Sequence, residues 1–354
     1  MLSIRNFQVK LLKWYQQYHR NLPWRSNPDP YSVWLSEVML QQTQVKTMLP
    51  YYERFKKRFP SLQLLAKANI EQVLPYWAGL GYYQRIRNFH QAVQIVMKEF
   101  MGQIPSTRET LLVLPGVGDY IANAVASIAF NQPVAVIDGN VERVYSRYLA
   151  WQEDIKSSKA RKFLIEISQQ YLHKKKSGDF NQAIMELGAL ICVPKNPQCH
   201  LCPVRPGCLG FKQDIHKDLP NRLKKIQRKK VLWASLWLQM HNKILLEQRS
   251  NVSVMTGLWQ LPTLEIKTTS QIRSSFEKRL KIKLQIWHPK GIFQHSIMNQ
   301  NIKNQVFQAE MEGDFVLKSK DFKWISLDQV QLYAITGITK KILKNYFKAN
   351  SNLF

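Results

Sequence analysis

Acidic side chains are scarce in this chain. Its 354 residues include 24 Asp and Glu against 51 Lys and Arg, a formal charge of +27. A globular protein with that imbalance usually meets a polyanion, most often nucleic acid, with an anionic membrane surface as the lesser alternative. Long apolar runs are missing too. The nearest candidate, residues 121–130, is ten residues long and interrupted by Asn123 and Ser127; a membrane span needs about 20. Residues 1–10 lack the apolar stretch of a secretory signal. The chain is therefore expected in the cytoplasm, and at the nucleoid if its source is bacterial. Cysteine is absent apart from four residues between Cys192 and Cys208. That excludes disulfides spread along the chain to close long loops. Metal ligation in a reducing compartment, or two short disulfides, are what is left. Internal repeats and low-complexity tracts are lacking as well.

Hydrophobic residues make up 45% and charged residues 21%, the composition of a packed protein rather than a disordered one. The length exceeds the roughly 100–200 residues of an average domain, so two domains are expected. Residues 1–211 read as helical. Apolar residues recur at three and four, as in Phe7, Leu11, Leu12, Trp14 and Tyr15, and again in Ile184, Leu187 and Ile191. Turns fall at residues 27–30, 114–118 and 138–140. Only 133–137 reads as a strand. Residues 212–230 carry eight basic residues and two acids, Asp214 and Asp218; they read as an exposed linker along phosphates, or as a solvated tether. Strand-like sequence follows at 231–240, 243–249 and 257–262, with helices at 270–280 and 339–347. The expected layout is a mainly α catalytic region, 1–211, the basic linker, 212–230, and a smaller α+β domain, 231–354.

Four features carry chemistry. The cysteines are spaced Cys192-x6-Cys199-x2-Cys202-x5-Cys208, and four thiolates hold either a tetrahedral zinc or a four-iron cluster. Leu114-Pro115-Gly116-Val117-Gly118 lies between helical segments. Gly116 and Gly118 permit a tight hairpin, and the positive end of the next helix completes a site for one DNA phosphate. An ordinary turn between helices is the alternative, and the net charge weighs against it. Glu37 has Val33, Trp34 and Leu40 on its helical face. A glutamate so placed is buried, holds its proton more tightly and can act as a general acid, whereas most helix glutamates are simply solvated. Asp138 follows an apolar run and precedes Gly139 and Asn140. It reads as a helix N-cap, or as a carboxylate that stabilises a cationic transition state. Two carboxyl groups with divergent environments are the pattern of glycosidic bond cleavage.

Together these residues resemble the adenine DNA glycosylases of the MutY type, within the helix-hairpin-helix superfamily. The resemblance runs through Leu22-Pro23-Trp24-Arg25, residues 36–44, Gly79-Leu80-Gly81-Tyr82-Tyr83, the hairpin, residues 136–141, Phe180-Asn181-Gln182-Ala183 and the cysteine loop 192–208. It implies a monofunctional glycosylase of base excision repair that hydrolyses the N-glycosidic bond of adenine opposite 8-oxoguanine or guanine in duplex DNA. It implies a [4Fe-4S] cluster on Cys192, Cys199, Cys202 and Cys208. By the same resemblance Glu37 protonates adenine N7, Asp138 stabilises the oxocarbenium sugar, and Tyr120 and Asn140 arrange them. Arg25 and Gln182 match adenine-pocket residues. Gln42, Leu80 and Tyr82 match the wedge that fills the base stack after extrusion. Related bifunctional enzymes have a lysine nucleophile where Tyr120 stands, and a phenol forms no Schiff base.

The second domain resembles the family's Nudix-like recognition module. Catalytic Nudix enzymes hold magnesium with clustered glutamates; between Gly257 and Lys290 the only acids are Glu265 and Glu277, so a binding role is expected. The segment Phe293-Gln294-His295 matches a Phe-Ser-His motif that probes 8-oxoguanine, with Gln294 in place of the serine. Thr43 is a second candidate for lesion contact. A monomer is expected. The competing readings are an endonuclease III-like glycosylase/lyase for damaged pyrimidines and a metal-stabilised DNA-binding protein without catalysis.

Overall fold

The computed structural model describes residues 1–26, 28–222, 228–250, 255–267, 271–297, 300–311 and 319–349. The chain forms two compact units. One comprises Met1–Ala68 and Arg87–Lys225, the other Asn69–Ile86 and Ile226–Phe354.

The first unit is helical. Its Pro30–Leu40 helix starts on the Asp29 side chain, which accepts from Ser32 N at 3.0 Å, with Pro30 in the first turn, where its missing N–H costs nothing. Every residue from Tyr31 to Met39 is buried, so this helix is enclosed on all sides. Trp34 meets Phe89 edge-on at 4.8 Å. A second core gathers the helices Ile4–Tyr18, Gly139–Tyr148, Ser158–Tyr171 and Ser177–Leu190 around Phe7. The Phe7 ring stands edge-on to Tyr148 at 4.8 Å and to Tyr171 at 5.0 Å. Truncating so enclosed a ring to alanine costs about 3–5 kcal/mol. Two close approaches depend on glycine. A Cβ on Gly188 would lie 2.6 Å from Asn140 Cβ, and one on Gly178 would lie 2.6 Å from the Ser127 carbonyl oxygen.

Residues 133–137 do not form the expected strand. Side-chain amides take the place of a neighbouring strand. Asn181 donates to Val134 O at 2.8 Å and accepts from Val136 N at 3.1 Å. Gln169 donates to Pro133 O and accepts from Ala135 N, and Asn123 donates to Ala135 O. The apolar run is thus an extended segment held by three side chains, and it leads directly into Asp138.

The linker expectation also needs correcting. His216 and Leu219 are buried, the Leu219 carbonyl accepts from Arg147 Nε at 2.9 Å, and Asn221 donates to Gln152 O at 3.1 Å. Its first half is therefore packed onto the helical unit, because two apolar or amphipathic side chains interrupt the basic run. Lys224 and Lys225 lie outside the described residues, and Lys229 and Lys230 already belong to the first strand.

The second unit is built on a sheet of β1 (Lys229–Met240), β2 (Lys243–Gln248), β3 (Trp259–Gln260), β4 (Thr263–Ile266), β5 (Leu284–Ile297), β6 (Gln300–Met311) and β7 (Phe322–Ser326). The order is β3-β2-β1-β6-β5, with β4 beside β1 and β7 beside β2. β1 runs parallel to β6, Lys229 opposite Gln300 through Leu238 opposite Ala309. Both faces of β1 are covered. Ala234, Leu236 and Leu238 pack with Ile272, Phe276 and Leu280 of the Ile272–Leu280 helix. Val231, Trp233 and Trp237 pack with Ile338, Ile342 and Leu343 of the Gly337–Ala349 helix. The period-two alternation of β1 feeds two separate cores.

Candidate active site

Glu37 sits near the end of the enclosed helix and is 5% exposed. The Tyr120 hydroxyl, from the helix Asp119–Phe130, donates to Glu37 Oε2 at 2.6 Å. Burial pushes the Glu37 carboxyl up to about 7. The nearby Asp138 charge pushes the same way, while the Tyr120 hydrogen bond and the Arg25 charge oppose it. The Tyr120 phenol is itself held well above the usual range, by burial first and then by the two carboxylates. A group of this kind keeps a proton near neutrality and gives it up to a bound base.

Asp138 caps the Gly139–Tyr148 helix. Its Oδ1 accepts from Asn140 N at 2.9 Å and Val141 N at 2.8 Å, and its Oδ2 accepts from Asn140 Nδ2 at 2.8 Å. Burial raises this carboxyl, and the three donors together with the Arg143 charge pull it back. The two sequence readings of Asp138 are compatible: the cap bonds hold the carboxylate in one orientation. The structure therefore brings Tyr120, Asp138 and Arg25 within electrostatic reach of Glu37, and Asn140 against Asp138.

Sequence reasoning missed several residues here. Arg143 donates to Asn140 Oδ1 at 2.8 Å, to Gly188 O at 2.7 Å and, through Nε, to Cys192 O at 2.7 Å. Glu186 is buried at 1% exposure and accepts from Arg25 Nη2 at 2.9 Å. Met185 Sδ lies 3.8 Å from the Tyr120 hydroxyl. Glu186 left one trace in the sequence, a lone acid in the apolar stretch Ala183-Ile184-Met185-Glu186-Leu187. Gln182 is half-buried one turn earlier on the same helix.

Gln42 and Thr43 lie just beyond the Pro30–Leu40 helix. Gln42 is exposed at φ +57°, and Thr43 N donates to Leu40 O at 3.0 Å. In the hairpin, Gly116 has φ +76°, and a Cβ there would press on Asn88 Cβ at 2.6 Å. Gly118 is the residue before the Asp119–Phe130 helix, with open space where a Cβ would be. The exposed Asp119 that follows is met by Arg108 at 2.7 Å and Arg161 at 3.2 Å.

The other candidates belong to the second unit. Leu80 is buried, whereas Tyr82 is 39% exposed at φ +49° with the Arg85 guanidinium 5.4 Å from its ring centre. Phe293 and His295 lie in β5. They share one face of β5, Phe293 packs against the core beside the last helix, and His295 abuts Gly337. Gln294 faces the other way, exposed, and its carbonyl accepts from Lys341 Nζ at 3.1 Å.

The four cysteines are half-buried free thiols. Burial pushes Cys202 up to about 12 and Cys208 up to about 11, and the sulfurs of the set act on one another through space. Buried Arg147 ties the loop down, donating to Val193 O at 2.8 Å and Pro194 O at 3.1 Å, with Nη1 3.5 Å from Cys192 Sγ. Among the described residues no three His, Cys, Asp or Glu close on a single-ion site. The donor set, four soft thiols in one loop, fits an iron–sulfur group.

The model for HhH-GPD superfamily base excision DNA repair proteins matches residues 35–170, which hold Glu37, Tyr120 and Asp138, and that for the NUDIX domain matches residues 232–345. The class is thus a DNA glycosylase of base excision repair with a Nudix-like domain after its helical region. The adenine DNA glycosylase of Rattus norvegicus is 33% identical over a 407-residue alignment, covering 97% of this chain and 78% of that protein. That of Buchnera aphidicola from Acyrthosiphon pisum is 30% identical over 97% of this chain and 98% of its own length. A solved thermostable thymine-DNA glycosylase superposes with a TM-score of 0.54 at 26% identity, over 59% of this chain and 97% of that one. The chain belongs to the adenine DNA glycosylase family.

Proposed function

We propose that this protein is a monofunctional glycosylase that hydrolyses the N-glycosidic bond of adenine opposite 8-oxoguanine or guanine. The observation that carries the reading is the buried Glu37, raised to about 7 and bonded to Tyr120 at 2.6 Å beside Asp138. Glu37 gives its proton to adenine N7, so the base leaves neutral as the glycosidic bond breaks. The Asp138 carboxylate, fixed by Asn140 and Val141, stabilises the oxocarbenium sugar. Water then adds to the anomeric carbon and its proton returns to the carboxylate system. Tyr120 and Asn140 hold the two acids in register. Arg25 and Gln182 receive the flipped adenine, and Gln42, Leu80 and Tyr82 fill the gap it leaves. Backbone N–H groups at Gly116 and Gly118 take a phosphate. Phe293, His295 and Thr43 contact the opposing base.

Cys192, Cys199, Cys202 and Cys208 would hold a [4Fe-4S] cluster, whose contribution when bound is to fix the loop. The protein acts as a monomer in the compartment that holds the DNA.

The test is single-turnover base release from duplexes with adenine opposite 8-oxoguanine, guanine or thymine, using wild type and Glu37→Gln. The expected result is release opposite 8-oxoguanine and guanine, absent in the variant, with the abasic strand intact until alkali is added. Release by Glu37→Gln, or strand cleavage without alkali, overturns the reading.

A further inference from the structure

Three charged side chains meet behind the site. Glu186 receives both arms of Arg20, Nε at 2.8 Å and Nη2 at 2.6 Å, and the Arg20 backbone N–H at 2.9 Å. It also receives Arg25 Nη2 at 2.9 Å. Arg25 Nη1 donates to Arg20 O at 3.2 Å, and its guanidinium lies 5.6 Å from the Tyr15 ring centre. Arg25 Nε is buried and has no acceptor among the described residues. Both terminal nitrogens of Arg25 are therefore fixed by protein, to Arg20 O and to Glu186. Burial alone would raise the Glu186 carboxyl, yet the two arginines bring it down to about 2, so it is an anion throughout the working range.

The charge of Arg25 also reaches Glu37, where it favours the carboxylate over the acid. A protonated Glu37 beside an uncompensated guanidinium is a poor combination. The groups that face Glu37 are Tyr120, Asp138 and Arg25; those around the Arg25–Glu186 pair are Arg20, Tyr15 and Asp179.

We propose that Glu186 is a positioning residue for the reaction, fixing Arg25 at the adenine pocket and offsetting part of the charge that Arg25 presents to Glu37. The inference rests on the reading of Glu37 as the proton donor. Glu186→Gln keeps the size and an oxygen acceptor but removes the anion. Arg25 then acts on Glu37 uncompensated, and Glu37 loses its proton at lower pH.

The experiment is the pH dependence of single-turnover adenine release by the full chain, wild type against Glu186→Gln, Glu186→Asp and Arg25→Gln. In Glu186→Gln the high-pH limb is expected to move down by about half a pH unit or more. In Glu186→Asp, which restores the charge, the limb stays at the wild-type position even if the rate is lower. In Arg25→Gln the limb moves up. A purely structural role lowers the rate of Glu186→Gln equally at every pH and leaves the limb in place; that outcome overturns the proposal. Should circular dichroism show that Glu186→Gln does not fold, Arg25→Gln decides, because an unmoved limb there overturns it equally. Failure of the underlying reading is separate and visible: Glu37→Gln would then still release adenine.

Discussion

The Tyr120 hydroxyl donates to Glu37 Oε2 at 2.6 Å across 83 residues of sequence. It reaches a carboxyl that burial holds up to about 7. The phenol is the donor, so the bond favours the ionised carboxylate over the acid and works against burial. The position of the Glu37 equilibrium is therefore a balance between the two, and each side is separately open to mutation.

Removing the phenol tips that balance. Tyr120→Phe is expected to move the high-pH limb of single-turnover base release upward, because the carboxylate loses a donor. It costs about 1 kcal/mol of stability, the worth of one hydrogen bond. A pH–rate profile from acid to alkaline buffer checks this, and a downward shift would refute it.

Glu37 also couples folding to pH. Its carboxyl ionises near the ordinary 4.5 when unfolded and near 7 when folded. The folded state therefore loses stability as pH rises through that interval and stays lower above it. Glu37→Gln cannot ionise, so it should be more stable than wild type by about 2–3 kcal/mol near pH 8 and by clearly less near pH 5. Chemical unfolding at both pH values reads the difference; an equal gain at both would show that ionisation is not the cause.

Asn181 holds the segment that delivers Asp138. With 1% of its surface exposed, it pairs with both Val134 O and Val136 N. Asn181→Leu leaves the buried Val136 N–H and the half-buried Val134 carbonyl without these partners, at about 1–3 kcal/mol. Base release should slow while affinity for an uncleaved duplex changes little, and the Val136 amide should exchange its hydrogen faster. Unchanged exchange at Val136 would remove the segment from the account of Asp138.

The sequence made some of this legible. The apolar neighbours of Glu37 at −4, −3 and +3 foretold its burial, because helical spacing alone places them on its face. The cap at Asp138 was equally local. The apolar run at residues 133–137 was misleading, because side-chain amides from Asn123, Gln169 and Asn181 satisfy an extended backbone as a strand would. Nothing local distinguishes the two. Glu186 escaped because its partners, Arg20 and Arg25, lie 166 and 161 residues away. The strand placement of Phe293 and His295 depends on pairing with β6, which no short motif reports.

Arg143 connects two places that were introduced separately. One guanidinium holds the Cys192 carbonyl and the Asn140 side chain, and Asn140 in turn holds Asp138. The cysteine loop therefore acts as a gauge for the acid pair. A chain whose loop is out of place leaves Arg143 held by the Gly139 and Gly188 carbonyls without its far acceptor, and the angle of Asn140 is set less firmly. Damage to the thiols would then reach Asp138 through one guanidinium and one amide.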